Sequence, residues 1–320
     1  MLPMRVTMRD VAARAGVSLK TVSRVVNGEP HIRPETRDAV QVAIADLGWT
    51  PNAAARSLRT GRTGVVGIVV TELRRPLLAA LVETLVTEAD ARGLQAAVEP
   101  VHRDDDRLAE IWAQRGVTFD GLLAVDLPRL PEPSGADGVP VVRVDVTEVS
   151  GHPGCDRVAA DLEQAAELLA RHLAVMGRRR PVQLGAGPLV ARDDMPLVDL
   201  GGTPDRAAGY RAAQRAVVGH PGVDALVCAT DEVALGALAG LHAAGLAVPE
   251  DVAVTGYGAL DDGWFATPSL TTVDPEPATL ARRAVDVLAR RLAGGEEPAV
   301  DVRVPVTLLR RESTLGPGAR

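Results

Sequence analysis

Residues 19–24 hold a dense group of side chains that can recognise nucleic acid. Lys20 and Arg24 are cations with several N–H donors, and Thr21 and Ser23 carry hydroxyls that donate or accept. Such groups bind phosphate oxygens and the acceptor atoms of base edges, and an arginine can contact guanine through two hydrogen bonds. Leu19 adds an apolar side chain. These residue types predict a DNA-contacting surface, provided that one element presents them together.

A helix-turn-helix is the element that the surrounding sequence predicts. Val11, Ala12 and Ala15 recur at helical spacing, Thr7 can cap this helix, and Gly16 can end it. The second helix has a cap and an inner apolar face, which are Ser18, then Val22, Val25 and Val26. Residues 19–24 then lie on the outer side of a helix of the kind that enters a major groove. A third helix is predicted between Pro34 and Gly48.

The chain resembles the lactose/galactose repressor (LacI-type) family of bacterial transcription regulators. The resemblance rests on D-V-A-x-x-A-G-V-S-x-x-T-V-S-R-V-V-N-G from position 10, R-P-E-T-R from position 33, and P-N-x-x-A-R-S-L-R-T-G-R-T from position 51. Further matches lie at residues 226–238, 254–257, 270–273 and 311–314. The resemblance implies an all-α helix-turn-helix DNA-binding domain at 1–48, a hinge at 49–62, and an α/β core at 63–320. That core would be two-lobed and periplasmic-binding-protein-like, with parallel sheets.

The resemblance also assigns the DNA contacts. Leu19, Lys20 and Arg24 would face base edges. Phosphate contacts would come from Thr7, Thr21, Ser23 and Asn27. The hinge would contribute Asn52, Ala55 and Leu58, with Leu58 as an apolar wedge in the minor groove.

The charge distribution favours DNA binding by the first 60 residues. The chain of 320 residues has a net charge of −7, but residues 1–60 carry +4 and the remaining residues −11. A basic segment on an acidic body is expected when only that segment meets phosphate. The N-terminus has no apolar signal segment, and no run reaches transmembrane length. With two cysteines, Cys155 and Cys228, that lack metal-ligand spacing, this predicts a cytoplasmic protein.

Beyond the hinge, strand-like segments alternate with helical ones, which predicts parallel sheets in two lobes. Predicted strands are 64–70, 94–98, 121–125, 139–144, 181–184, 197–200, 225–228, 252–256 and 300–309. Predicted helices are 77–92, 107–115, 161–176, 205–218, 233–244 and 279–292. A ligand would bind between the lobes at the carboxyl ends of the strands.

The resemblance places candidate effector-binding residues at that edge. Asp161 and Asp231 match positions that face the cleft; alternatively, each carboxylate caps a helix. Thr230 replaces the usual asparagine, and Gly258 replaces the usual acidic residue after the Gly-Tyr pair. Trp264 and Phe265 complete the set. Because the connection from Gly187 to Leu197 is also too short for the helix that carries the family's effector-binding arginine, we expect no binding of simple neutral sugars.

Other motifs carry no catalytic chemistry. Gly185-Ala186-Gly187 lacks the third glycine and the helix of a dinucleotide loop. The run at 104–106 reads as a loop before a helix, and the arginine run at 178–180 as an exposed turn. We expect no enzyme activity, cofactor, metal or membrane partner.

The sequence therefore predicts a homodimeric repressor of transcription that binds a pseudo-palindromic double-stranded DNA operator. A small-molecule effector between the lobes would modulate it. The alternative is an effector-independent regulator whose core only dimerises. The chain's last residues cannot form the leucine-heptad helix with which some relatives build tetramers.

Overall fold

The computed structural model describes residues 6–26, 29–49, 61–131, 138–147, 154–187, 189 and 195–318. The chain divides into two compact units, Met1–Thr63 and Gly64–Arg320, which we call the head and the core. Hinge residues 50–60 lie outside the described residues. The boundaries at 48 and 62 therefore remain predictions.

The described residues of the head form three helices: α1 (Met8–Ala15), α2 (Leu19–Val26) and α3 (Pro34–Leu47). Gly16, with φ 64°, ends α1, and Gly48, with φ 57°, ends α3, both in the left-handed conformation that favours glycine. Pro34 stands in the first turn of α3. The helices enclose a buried cluster of Val11, Ala12, Val22, Val40, Ala43 and Trp49. The predicted helix-turn-helix is confirmed.

The core alternates strands with helices. Its strands are β1 (Val65–Val70), β2 (Gln95–Pro100), β3 (Gly121–Val125), β4 (Val141–Asp145), β5 (Asp156–Ala160), β6 (Pro181–Leu184), β7 (Leu197–Val198), β8 (Ala225–Cys228), β9 (Ala253–Tyr257), β10 (Thr271–Asp274), β11 (Asp301–Val304) and β12 (Thr307–Leu309). Its helices are α4 (Pro76–Asp90), α5 (Asp105–Ala113), α6 (Leu162–Val175), α7 (Arg206–Gly219), α8 (Asp231–Ala243), α9 (Asp261–Phe265), α10 (Pro277–Leu292) and α11 (Glu312–Leu315).

Two six-stranded sheets define two lobes. The first lobe has the strand order β11-β5-β4-β3-β1-β2, and the second has β12-β10-β9-β8-β6-β7. Every pairing in the first sheet is parallel. In the second sheet, β12 alone runs antiparallel, beside β10, among the described strands. The predicted two-lobed α/β fold is confirmed.

Helices cover both faces of each sheet, as the continuous apolar runs of the strands require. In the first lobe, α4 and α10 pack on one face and α5 on the other. In the second lobe, α7 and α8 pack together on one face, and α6 packs on the other. Gly209 of α7 and Gly236 of α8 each face the other helix's backbone, so these two helices lie unusually close.

The sequence prediction differs from the structure at four elements that were not predicted, which are β5, β10, α9 and α11, and at residues 300–309. Strand β5 was not predicted, because its Asp156 and Arg157 interrupt the apolar pattern; both side chains form ion pairs with neighbouring elements. The single strand expected at 300–309 is wrong. Pro305 separates β11, which joins the first sheet, from β12, which joins the second.

Within the described ranges, no helix is both long enough and apolar enough to span a bilayer.

Candidate functional site

The outer side of α2 presents the side chains predicted to meet DNA. Leu19 is 45 % exposed, although it is a large apolar residue. Lys20 is also exposed, whereas Thr21 and Ser23 are half-buried. Val22 lies fully buried between them and fixes the orientation of the helix. The sequence pattern of α2 thus separates a packed inner side from an accessible outer side.

Local hydrogen bonds fix both helix starts. The Ser18 hydroxyl accepts the Thr21 backbone N–H at 3.1 Å and lies 2.9 Å from the Thr21 hydroxyl. Asp10 accepts both the backbone N–H and the hydroxyl of Thr7, at 2.8 and 2.7 Å. The Thr7 hydroxyl bond is the largest of the causes that lower the pKa of Asp10. Both predicted capping residues, Thr7 and Ser18, therefore form side-chain hydrogen bonds at the starts of their helices.

Arg24 has an acidic partner within the head. Its Nε donates to Glu29 Oε2 at 2.8 Å, and both side chains remain accessible. Because exposed ion pairs contribute little net free energy, Arg24 can exchange this partner for another acceptor. The remaining predicted contacts, Asn27, Asn52, Ala55 and Leu58, lie outside the described residues.

Asp231, a candidate effector ligand, is held inside the second lobe. Its side chain is fully buried at the start of α8. Oδ1 accepts the Thr272 hydroxyl at 2.6 Å, and Oδ2 accepts the Leu260 N–H at 2.7 Å. Burial is the main cause that raises the pKa of Asp231 to about 6. Thr230, not Asp231, caps α8 by accepting the Val233 N–H, so the capping alternative proposed for Asp231 is wrong.

The other candidate effector residues have the following contacts in the described structure. Asp161 caps α6 by accepting the Gln164 N–H at 3.0 Å. Gly258, with φ 130°, lies where the lobes meet; a Cβ there would stand 3.6 Å from Leu77 of the first lobe and 3.9 Å from Asp231 Oδ2. Trp264 lies 4.9 Å beneath the Arg311 guanidinium. Phe265 is 80 % exposed.

The two charged runs are structural. Asp104 caps α5 by accepting the N–H groups of Asp106 and Arg107, each at 3.0 Å. Asp224 accepts the backbone N–H groups of Arg179 and Arg180, at 2.7 and 2.9 Å, in the turn after α6. The turn expected at 178–180 agrees with these contacts, whereas Asp105 and Asp106 lie in the first turn of α5 and not in a loop before it.

A cavity that the sequence analysis did not identify lies in the first lobe. It has a volume of about 280 Å³ and opens where β1, β2 and β3 end. Its polar lining includes Thr71, Arg75, Arg103, Asp104, Asp126 and Arg129. A signal was present: Thr71 and Asp126 directly follow predicted strands, and parallel strands end at one edge of a sheet.

A buried hydrogen bond joins the two lobes close to this cavity. The hydroxyl of Tyr257, at the end of β9 in the second lobe, donates to the Val146 carbonyl of the first lobe at 2.5 Å. Tyr257 is 1 % exposed. Burial, with the nearby charges of Asp126 and Asp274, raises its pKa well above the ordinary value, so the hydroxyl remains a donor.

Comparisons with known proteins agree over the whole chain. Residues 7–52 match the model for bacterial regulatory proteins of the lacI family, and residues 189–314 match that of a periplasmic binding protein-like domain. The HTH-type transcriptional repressor PurR of Erwinia tasmaniensis is 31% identical over 96% of both chains. The lactose operon repressor of Escherichia coli is 27% identical over 98% of this chain and 92% of its own.

Solved structures extend this likeness. The Lac repressor dimer bound to operator and the anti-inducer ONPF has a TM-score of 0.80 at 25% identity, covering 97% of this chain and 99% of that one. The complex of the regulator CelR with cellobiose has a TM-score of 0.69 at 28% identity, covering 97% and 100%. The head, the two-lobed core and these matches together establish that the chain belongs to the lacI family of bacterial regulatory proteins, and it is a DNA-binding transcriptional regulator rather than an enzyme.

Proposed function

We propose that this regulator is a cytoplasmic, homodimeric repressor that binds a pseudo-palindromic operator. The observation that carries the proposal is the accessible outer side of α2, where Leu19 and Lys20 are exposed and Arg24 has only an exchangeable surface partner among the described residues. Two heads related by twofold symmetry would read two inverted half-sites. Hinge residues such as Leu58 would complete the contact in the minor groove.

Selection of DNA from a random duplex library by the full chain tests this proposal. The expected result is an inverted repeat. Arg24→Ala should relax the preference at one base pair per half-site, because a lost bidentate contact costs about 1–3 kcal/mol at that base alone. Thr21→Ala should instead weaken binding to all sequences alike. An unchanged motif with Arg24→Ala would refute the assignment of Arg24 to a base.

Arg14→Ala is the matched control. Arg14 is a head arginine that pairs with Asp46 at 2.6 Å and so joins α1 to α3. Its loss should leave the selected motif unchanged. Light scattering at micromolar concentration tests the assembly. A mass near twice the 33.5 kDa of one chain supports the proposal, whereas a monomer or a tetramer contradicts it.

We further propose that a small molecule bound in the core modulates operator binding. The first-lobe cavity supports this, because it lies at the carboxyl ends of parallel strands, where ligands of such folds bind. The Tyr257–Val146 bond supports it as well, because it makes the contact between the lobes depend on a segment near the cavity. A ligand that favours one lobe arrangement would shift the DNA affinity.

One observation favours the alternative of an effector-independent regulator. The Asp231 side chain is fully buried and each of its oxygens accepts a hydrogen bond from the protein, which makes it a weaker candidate for ligand contact. Calorimetric titration with a metabolite library separates the two. Binding heat together with a changed operator affinity supports modulation, and intact operator binding without any ligand supports the alternative.

A further inference from the structure

Asp126 occupies two environments at once. It follows β3 directly, has φ 50°, and is 2 % exposed. Asp126 is nevertheless one of the residues that line the first-lobe cavity, together with Thr71 and Arg103. A non-glycine residue with positive φ is uncommon, and the surrounding contacts must hold it in place.

Those contacts are made with the segment that follows β4. Asp126 Oδ1 accepts the N–H of Val146 at 2.7 Å and the N–H of Thr147 at 2.9 Å. Oδ2 accepts the Thr147 hydroxyl. One carboxylate therefore fixes two consecutive peptide units at the end of β4.

Val146 also contacts the second lobe. Val146, whose N–H Asp126 holds, also presents the carbonyl that accepts the Tyr257 hydroxyl. A continuous path of buried hydrogen bonds thus runs from the cavity wall through Asp126 and Val146 to β9 of the second lobe. A shift of the Asp126 carboxylate would therefore alter the position of the Val146 peptide and, with it, the Tyr257–Val146 hydrogen bond.

The carboxylate can still accept from a ligand. An ionised carboxylate has about four acceptor sites, and the protein donors named above use three of them. Because a carboxylate only accepts, a ligand that acts on it must bring an O–H or N–H donor. The remaining acceptor site is on Oδ2, so such a donor would share this oxygen with the Thr147 hydroxyl.

We propose that Asp126 is the residue through which occupancy of the first-lobe cavity is transmitted to the contact between the lobes. The ligand class is a small polar molecule with a hydroxyl, ammonium or amide donor. This inference rests on the proposed effector modulation and names the residue that senses the effector. Asp126 acts as a positioning residue for Val146 and, through it, for Tyr257.

Amide hydrogen exchange on the full chain tests the path in both directions. Asp126→Ala should speed exchange at least about tenfold at Val146 and Thr147, and also across the lobes at residues 258–260. Tyr257→Phe, which removes only the bridging hydroxyl, should speed exchange at Val146 and Thr147. Asp126→Asn, which keeps the shape and one acceptor oxygen, serves if the alanine variant does not fold and should show the same pattern more weakly.

Asp104→Ala is the matched control. Asp104 lines the same cavity and also accepts two backbone N–H groups, but those belong to Asp106 and Arg107 of its own helix. Its loss should speed exchange only at the start of α5. If Asp126→Ala and Asp126→Asn change exchange only within the first lobe, as Asp104→Ala does, the proposed path is overturned.

Operator titration then separates this inference from the proposed function. Asp126→Ala and Tyr257→Phe should change the affinity for the selected operator in the same direction, and the double variant should change it no further than either single one. Unchanged affinity in both variants would overturn the sensing role while leaving the repressor intact. Failure of the wild-type chain to bind any selected DNA would instead refute the proposed function, and the exchange result would stand independently.

Discussion

Arg24 and Glu29 form an ion pair of 2.8 Å on the accessible side of the head, where the base contact is expected. Arg24 must leave Glu29 to reach guanine, and the Glu29 carboxylate then lies near DNA phosphates. Glu29→Gln should therefore tighten binding to operator and to random DNA alike, by about 2- to 5-fold, the range that corresponds to an exposed pair. Fluorescence anisotropy at several salt concentrations measures this. Weaker binding by Glu29→Gln would show that Glu29 orients Arg24 for recognition.

Leu58 should matter only on DNA. As an apolar wedge, it offsets the unstacking cost of a few kcal/mol at one base step. Leu58→Ala should abolish tight operator binding in a gel shift without altering the thermal unfolding of the core. A lowered core Tm would identify Leu58 as a packing residue, and unchanged operator affinity would show that the hinge does not enter the minor groove.

Gly209 should be intolerant of any side chain. A Cβ there would lie well inside van der Waals contact of the Val233 carbonyl on α8, and backbone cannot move aside cheaply. Gly209→Ala should lower the free energy of unfolding by about 3 kcal/mol or more, the upper part of the range for overpacking. Gly219→Ala, at the open end of the same helix, should be nearly neutral, because no atom lies within 4 Å of its Cβ position. Equal losses in urea denaturation would contradict the close packing of α7 on α8.

Asp231 should make the core less stable as the pH rises. Its pKa is raised from 3.8 to about 6, so the folded state binds this proton more tightly than the unfolded chain does. The resulting stabilisation is complete below about pH 4 and is lost as the pH rises through 6, with a magnitude on the order of 3 kcal/mol. Urea unfolding between pH 4 and 8 should show wild type losing stability relative to Asp231→Asn, whose amide does not titrate. A pH-independent difference would contradict the raised pKa.

Neutral mono- and disaccharides should not bind in the family's usual manner. The Asp231 carboxyl group is fully buried, with each oxygen accepting a hydrogen bond from the protein, and Gly258 supplies no carboxylate. Each unpaired sugar hydroxyl would cost about 1–3 kcal/mol. Isothermal titration should find no Kd below about 100 μM, which corresponds to roughly 5.5 kcal/mol of binding free energy. A tighter sugar whose binding is lost in Asp231→Ala would disprove this expectation.

The elements set by local chemistry were predictable from the sequence. Gly16, Pro34 and Gly48 fix the ends of the head helices through backbone conformation alone, and β3 and β8 are continuous apolar runs. Strand β5 was not predictable, because its charged side chains are satisfied only by distant partners such as Arg291. The separation of β11 from β12 depends on which sheet offers an edge, and alternation along 300–309 contains no such information.

The candidate site divides in the same way. The exposed residues of α2 were predictable because apolar residues at helical spacing, such as the buried Val22, mark the inner face of this helix. The environment of Asp231 was not, because Thr272 and Leu260 reach it only through the folded second lobe. The role of Asp126 was not predictable, because its hydrogen-bond partners, Val146 and Thr147, follow a different strand. Motif spacing reports neighbours in the chain, whereas these contacts join separate loops.

Residues 301–309 contribute one edge strand to each sheet, which affects the order in which the parts of the chain can fold during translation. The head is one continuous stretch and can fold soon after it leaves the ribosome. Each lobe receives an edge strand, β11 or β12, only after all its other strands have been translated. A product that stops before residue 300 would therefore carry a complete DNA-reading head on two sheets with bare edges, and such edges promote aggregation.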